Sequence, residues 1–212
     1  MASDSHASPA SIIERIVARW AFRRLGSLHH ERRVLALADE LFRLLRPRYH
    51  LGAFARRMLR LAALAHDVGR SVDDKRHPQV GARMLLADRR LPLNQQQRRC
   101  LAYLTRYHRG AVPEIGYDDI LHDDDPHNQM RIVLALLRAA DALDGRQHRA
   151  PKRVRFKLRG DRLKVRCHLD DDRRRARKFF SRRKKFRLLE EVLGLKVSTA
   201  VCAAGAVSVG RR

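Results

Sequence analysis

The chain contains little cysteine for its length. Its 212 residues include only Cys100, Cys167 and Cys202, which are odd in number and far apart. This distribution suits neither a disulfide framework nor a cysteine-rich zinc site. We therefore expect a protein of a reducing compartment, with a cytoplasmic location.

Long hydrophobic runs are also missing. The last apolar stretch, residues 197–209, consists mostly of small residues, and it is much shorter than the roughly 20 residues that cross a bilayer. Residues 1–11 are polar and small and lack the pattern of a signal peptide, so we expect a disordered N-terminus. The sequence predicts no membrane span.

Acidic residues are scarce relative to basic ones. There are 23 Asp and Glu against 47 Lys and Arg, which gives a formal net charge of +24. Residues 151–212 hold 21 of the basic residues and only six acidic ones. Polyanions such as nucleic acid, polyphosphate or an acidic membrane surface are natural partners for this charge. A generally arginine-rich surface is the alternative interpretation.

A hydrophobic content of 44% supports one substantial core. Over residues 12–150 the apolar positions follow helical spacing, as in the segment from Val34 to Leu45, which Pro47 is predicted to end. We expect a mostly α fold, with one helical domain over residues 12–150.

The pattern changes after Pro151. Alternating segments at 154–158 and 163–169 flank a turn at Gly160 and predict a β-hairpin. A helix should follow residues 170–172 and end at Gly194, and residues 195–209 offer a further strand. Residues 151–212 are therefore predicted to form a basic subdomain, a small α+β element of hairpin plus helix.

Metal-ligand residue types recur at the ends of apolar helical stripes. Extending each stripe by one turn reaches His30, His66, His108 and Asp141, on four separate helices. A single buried histidine is usually a satisfied polar group of the core. Several that converge in one bundle favour a metal site, because an isolated buried imidazole or carboxylate is costly.

Asp67 adjoins His66 and His77 follows shortly after, so six candidate ligands are available: His30, His66, Asp67, His77, His108 and Asp141. Mixed nitrogen and oxygen ligands favour one or two divalent transition-metal ions, namely Mn, Fe, Co, Ni or Zn, with Mg also accommodated. His66 and Asp67 are the predicted catalytic residues, since Asp67 can bridge two ions or orient water. His77 is equally suited to cap a helix or touch a phosphate.

Three stretches carry a family resemblance: 64–70 around His66-Asp67, 107–110 around His108, and 137–144 around Asp141. They resemble the C-terminal HD domain of the exopolyphosphatase/guanosine pentaphosphatase family, and the similarity covers roughly residues 12–200. In that family the HD domain usually follows two actin-like domains that carry the exopolyphosphatase active site. The HD domain itself contributes to polyphosphate binding and dimerisation. The resemblance implies a stand-alone HD-domain protein, with an HD-type helical metal-binding domain over residues 12–150 in which all ligand positions are filled. A homodimer is one assembly that it implies.

Four basic residues flank the ligand-bearing segments and are predicted to bind substrate phosphate: Arg70, Lys75, Arg76 and Arg109. Asp144 is predicted to anchor a helix end or an arginine rather than a metal. These features favour a metal-dependent phosphohydrolase acting on a phosphate ester or anhydride, either polyphosphate or a nucleotide. The alternatives are a noncatalytic polyphosphate-binding, RNA-binding or dimerisation module, and a protein acting in trans with a separate actin-like enzyme.

Residues 173–187 contain ten Lys and Arg and no acidic residue. This segment is predicted to be a helix whose phenylalanine side packs on the domain and whose outer face attracts polyphosphate or RNA. With aromatic residues at 6% of the chain, no base-stacking set is present, so sequence-specific nucleic-acid recognition is not expected.

Overall fold

Helices dominate the fold. The computed structural model describes residues 9–114, 117–121, 129–144, 151, 153–169 and 186–203. The helices that precede the sheet are α1 (Pro9–Leu25), α2 (His29–Tyr49), α3 (Ala53–Ala65), α4 (His77–Ala87), α5 (Gln95–Tyr107) and α6 (Met130–Leu143). A short 3-10 turn (Val68–Ser71) joins α3 to α4. The C-terminal part contains β1 (Arg153–Arg159), β2 (Arg162–Leu169), α7 (Arg187–Leu193) and β3 (Lys196–Ala203). The predicted fold class is confirmed.

Helix α3 lies at the centre of the bundle. It packs against α1, α2, α5 and α6. From Met58 to Ala65 every apolar residue is buried, and Arg60, the one charged residue of this stretch, is half-buried. A helix that is apolar on most sides needs neighbours on most sides, and the flanking amphipathic helices provide them. The C-terminal end of α3 therefore points into the interior. Within the described ranges, none of the helices has the length and apolar character to cross a bilayer.

Helix α2 corrects one expectation. The sequence predicts that Pro47 ends this helix, but α2 continues to Tyr49 and ends at His50, whose backbone is left-handed with a φ of 50°. Pro47 sits in the last turn, where its missing N–H removes a single backbone hydrogen bond. The turn is held from outside, because Leu45 is fully buried and the Tyr49 hydroxyl donates to the Leu193 carbonyl at 2.8 Å.

The sheet has the order β1-β2-β3. Strands β1 and β2 pair antiparallel around Gly160, whose φ is 53°, while β3 pairs parallel to β2. The predicted hairpin, the further strand and the helix end at Gly194 are confirmed. Alternate residues Leu163, Val165 and Cys167 of β2 are fully buried and join the helical core.

Some predictions concern residues outside the described part of the chain. These are residues 1–8 of the predicted disordered N-terminus 1–11, whose last three residues belong instead to helix α1, and residues 173–185 of the basic segment. The first described helix begins at Pro9, and Phe186 at the end of the basic segment is buried. The polyanion contact proposed for the basic segment therefore remains a prediction.

Candidate metal centre

The histidines of the predicted ligand set lie at helix ends. His66 follows the last residue of α3, and His108 follows the last residue of α5. His77 is the first residue of α4, and His30 is the second residue of α2. Asp141 lies within the last turn of α6. The predicted convergence is therefore present among the described residues, although helix ends rather than helix interiors carry most of the ligands.

Local backbone geometry orients three of the imidazoles in the same way. In His66, His77 and His108 the ring Nδ1 lies 3.0, 2.7 and 2.7 Å from the backbone carbonyl oxygen three residues earlier. A carbonyl oxygen can only accept, so Nδ1 carries the hydrogen and donates it. The Nε2 atom of each ring is thereby directed into the cavity, which is the orientation found in metal-binding histidines with a fixed tautomer.

His30 is oriented by a carboxylate instead. Its Nδ1 donates to Asp144 Oδ2 at 2.8 Å, and Asp144 Oδ1 accepts from Arg33 Nε at 2.5 Å. Arg33 also donates to the Pro151 carbonyl at 2.7 Å. Burial raises the pKa of Asp144, but the hydrogen bond from His30 and the charge of Arg33 outweigh it, so the pKa lies below its ordinary value. The predicted role of Asp144 as an anchor for an arginine is confirmed.

Asp67 faces two sets of imidazoles at once. Its Oδ2 lies 3.7 Å from Nε2 of both His30 and His66. Its Oδ1 lies 3.1 Å from His77 Nε2 and 3.4 Å from His108 Nε2. We call His30, His66, Asp67 and Asp141 the first half-site. We call Asp67, His77 and His108 the second half-site. Each group, His30-His66-Asp67 and Asp67-His77-His108, has ligand atoms within 4.8 Å of one another.

The spacing of the nitrogens fits a bound cation. The two Nε2 atoms are 3.3 Å apart in the first half-site and 3.2 Å apart in the second. Two unprotonated nitrogens at this separation repel each other, so the arrangement needs a proton or a metal ion between them. Nitrogens bound at about 2.1 Å in tetrahedral or octahedral geometry are about 3.0 to 3.4 Å apart. Asp141 Oδ1, 3.2 Å from His30 Nε2, completes the first half-site.

Two glycines allow Asp67 and His77 to approach each other. The 3-10 turn that follows Asp67 crosses the start of α4 so closely that a Cβ on Gly69 would lie 2.1 Å from the His77 carbonyl oxygen. A Cβ on Gly81 already meets Thr105 Cγ2 at 3.0 Å. Glycine is therefore required at position 69 because of the close backbone approach, although the sequence pattern around His66-Asp67 does not reveal it.

Comparison with known proteins identifies the family. Residues 27–181, well over half of the chain, match the family model described as Ppx/GppA phosphatase, domain III. The chain belongs to this family. The predicted resemblance is thus confirmed, and the matched range is narrower than the expected 12–200 but includes every candidate ligand from His30 to Asp141. No curated protein matches the chain.

The buried acidic groups of this Ppx/GppA domain III lie beside several imidazoles. Burial raises the pKa of Asp67, but the positive charge of His66 outweighs it and holds the pKa far below its ordinary range. Burial likewise raises the pKa of Asp141, but the adjacent imidazoles of His30 and His66 outweigh it and lower the pKa well below that range. Both carboxyl groups are therefore anionic at neutral pH and suited to a cation.

The two fully buried histidines respond in opposite directions. Burial lowers the pKa of His66, but the negative charges of Asp67 and Asp141 outweigh it and raise the pKa above its ordinary value. Burial dominates at His108 and lowers its pKa. His108 is thus held neutral, which is the protonation state of a metal ligand, and a metal ion at His66 would have to displace a proton.

The predicted phosphate-binding residues separate into two pairs. Arg70 Nε lies 3.1 Å from Asp67 Oδ2, and Arg109 Nε lies 3.5 Å from Asp141 Oδ2, so both stand beside the centre. Arg76 is exposed and pairs with Asp73 at 2.7 Å, and Lys75 is also exposed. In the described part of the chain, neither side chain contacts a candidate metal ligand. Phosphate binding by Lys75 and Arg76 therefore remains a prediction that no contact supports.

Arg138 is a supporting residue that sequence reasoning missed. Its guanidinium donates to the Tyr107 and Gly110 carbonyls, both at 3.0 Å, and so braces the turn that carries His108 and Arg109. Burial lowers the pKa of Arg138. Its position three residues before Asp141 was the available signal, because residues on one helix face at this spacing are neighbours.

Proposed function

We propose that this Ppx/GppA domain III protein is an HD-type metal-dependent phosphohydrolase that acts on a phosphate ester or anhydride. The observation that carries the proposal is the position of Asp67, whose two carboxylate oxygens face two separate pairs of imidazole Nε2 atoms. A carboxylate placed in this way suits a two-metal centre better than a single structural ion.

Each half-site has a distinct composition. Two imidazoles and two carboxylates, those of Asp67 and Asp141, would hold an ion in the first half-site, while two imidazoles and Asp67 would hold one in the second. The mixed donor set favours Mn, Fe, Co, Ni or Zn and tolerates Mg less well. Such ions lower the pKa of bound water and neutralise charge on a phosphoryl group.

The protein's own residues then bind and orient the substrate. His66 and Asp67 are fully buried, and the side chains of His30 and Asp141 are each 10% exposed, so the centre opens on the side of the latter pair. Arg109, with 45% of its side chain exposed, stands at this opening and would bind a phosphate oxygen through its forked guanidinium. Arg70, beside Asp67, would hold a second oxygen.

The substrate class follows from this charge distribution. Arg109 at the opening and Arg70 beside Asp67, on a chain with a formal charge of +24, select for a multiply charged phosphate compound. Polyphosphate and a nucleotide such as a guanosine polyphosphate both meet this requirement. A phosphate-release screen with both substrates, in the presence of Mn, Co, Ni, Fe, Zn or Mg, distinguishes between them.

The decisive variant is Asp67→Asn, which keeps the size of the side chain and removes its charge. We expect metal content, measured by elemental analysis, to fall in both half-sites and phosphate release to drop by about a hundredfold or more. The matched control is Asp161→Asn in the exposed hairpin turn, with circular dichroism confirming the fold of both variants. Undiminished turnover in Asp67→Asn would refute the assignment.

A noncatalytic polyphosphate-binding, RNA-binding or dimerisation module is the second candidate. The family match to domain III and the large positive charge favour it. This candidate predicts salt-dependent retention of polyphosphate or RNA by metal-stripped protein and no phosphate release with any of the metals. Release that depends on both metal and Asp67 would exclude it.

A further inference from the structure

A cationic groove runs along α1, and the described residues that line it include none of the candidate metal ligands. Its volume is about 510 Å³, and Trp20, Ile16 and Leu91 contribute apolar surface to it. Five arginines also line the groove: Arg15, Arg19, Arg23, Arg24 and Arg90. None of the described residues that line it is acidic.

One wall of the groove is a fixed hydrogen-bonded frame built on Asp88. The Asp88 carboxylate accepts from Trp20 Nε1 at 2.7 Å, from Arg24 Nη2 at 3.0 Å and from Arg90 Nη2 at 2.7 Å. Arg24 also lies 4.0 Å from the centre of the Trp20 ring. One carboxylate thus holds two guanidinium groups in place while leaving a net positive charge. The frame is therefore pre-organised to meet an anion.

Three further arginines of α1 line the groove. Arg15, Arg19 and Arg23 are exposed, and in the described part of the chain none of their guanidinium groups contacts a carboxylate. They repeat every four residues, about 6 Å along the helix. Ile12 and Ile16 are also four residues apart, and their side chains are 41% and 37% exposed. Apolar and cationic groups therefore alternate along one helix face.

We infer that this groove binds an acidic amphipathic helix of a partner protein. A partner helix repeats at the same pitch as α1, so carboxylates one turn apart can face Arg15, Arg19 and Arg23 while its apolar residues cover Ile12 and Ile16. Charge complementarity at such a surface gives both specificity and a fast association rate. The site is independent of the function proposed for the metal centre.

The interleaving of the two kinds of side chain favours a helix over other occupants of this groove. Inorganic polyphosphate has no apolar groups and would leave Ile12 and Ile16 in water. Helices that lie on membranes separate their apolar and basic faces, whereas here both kinds share one face. A concave groove also fits a cylinder better than it fits a flat bilayer.

Trp20 provides a direct reporter, because it is the single tryptophan of the chain and lines the groove. The experiment titrates the full chain with a synthetic acidic peptide of about four helical turns, with Glu and Leu each repeated every four residues. The comparison peptide has the same composition in shuffled order. We expect the periodic peptide to change the Trp20 emission and to bind about tenfold more tightly than the shuffled one, with an affinity that falls as salt rises.

Two variants with opposite expected outcomes locate the contact. Arg19→Glu should weaken binding of the periodic peptide by about tenfold or more, because it places a like charge in the groove. Arg46→Glu is the matched control, an exposed arginine on α2 for which we expect no change. Thermal unfolding of both variants checks that they remain folded.

Several results would overturn the inference. Equal affinity of the periodic and shuffled peptides would show that binding depends on net charge alone and not on helical spacing. An unchanged affinity in Arg19→Glu would place the peptide elsewhere. Tighter Arg19-dependent binding of polyphosphate, or of vesicles of phosphatidylglycerol and phosphatidylcholine, would assign the groove to a phosphate polymer or to a membrane.

Discussion

A methyl group at Gly69 tests whether the close crossing of two backbone segments builds the candidate metal centre. In Gly69→Ala the added Cβ would lie 2.1 Å from the His77 carbonyl oxygen and 2.6 Å from the Gly81 backbone nitrogen. Ordinary contacts of this kind are more than 3 Å long, so the segments must separate by roughly 1 Å. No flexible side chain absorbs the shift, because both contacts are to backbone atoms.

The displacement has a thermodynamic and a chemical consequence. Overpacking of a close backbone contact should lower the free energy of unfolding by about 2 to 4 kcal/mol. It should also lengthen the distance from His77 Nε2 to Asp67 Oδ1, which is 3.1 Å. Ligand sets tolerate only about 0.5 Å of displacement, so the second half-site should lose its ion before the first.

Urea unfolding and metal stoichiometry measure these two effects in the same protein. The control is Gly52→Ala before α3, where a Cβ would lie at an ordinary 3.6 Å from Gln129 Oε1 and the φ of −81° suits any residue. The control should retain full stoichiometry. A Gly69→Ala protein with a free energy of unfolding within about 0.5 kcal/mol of the wild type, and with both ions bound, would refute the reasoning.

Three further predictions concern single residues. Asp144→Ala removes the acceptor of His30 Nδ1 and should weaken zinc binding by about ten- to a hundredfold in chelator competition; wild-type affinity would contradict this role. Maleimide should label half-buried Cys202 before Cys167, since burial raises the pKa of Cys167 to about 12; mass spectrometry gives the order. The hydrogen bond from Arg56 lowers the pKa of Asp39. The stabilisation that this ion pair gives the folded state is therefore present above about pH 4 and is lost as pH falls through the folded pKa of Asp39. Asp39→Asn should therefore flatten the acid side of a plot of Tm against pH.

The helical fold was predictable because its signals are local. Apolar repeats identify α2 and α3, and the alternation around Gly160 identifies the hairpin, since each pattern reflects which face of one element is buried. Pro47 shows the limit of local rules. The sequence predicts a helix end there, but the tertiary contacts of Leu45 and Tyr49 keep the last turn helical.

The convergence of the candidate ligands was predictable by the same reasoning, since His30, His66, His108 and Asp141 each adjoin an apolar stripe that must turn inward. The contacts that orient these side chains toward one another could not be predicted from the sequence. The hydrogen bond between His30 and Asp144 joins residues 114 positions apart. Likewise, the requirement for glycine at position 69 arises from a backbone that reaches it only in the folded state. Such contacts depend on tertiary proximity and leave no periodic trace in the sequence.

Both ends of α2 are fastened to the C-terminal part of the chain. Near the N-terminal end of α2, Arg33 donates to the Pro151 carbonyl at 2.7 Å; at the C-terminal end, Tyr49 donates to the Leu193 carbonyl at 2.8 Å and Arg48 donates to Gly160. Proteolytic cleavage near residue 150 would therefore also loosen Arg33 and the Asp144 carboxylate that orients His30. Bundle and sheet should accordingly melt as one cooperative unit, with a single calorimetric peak.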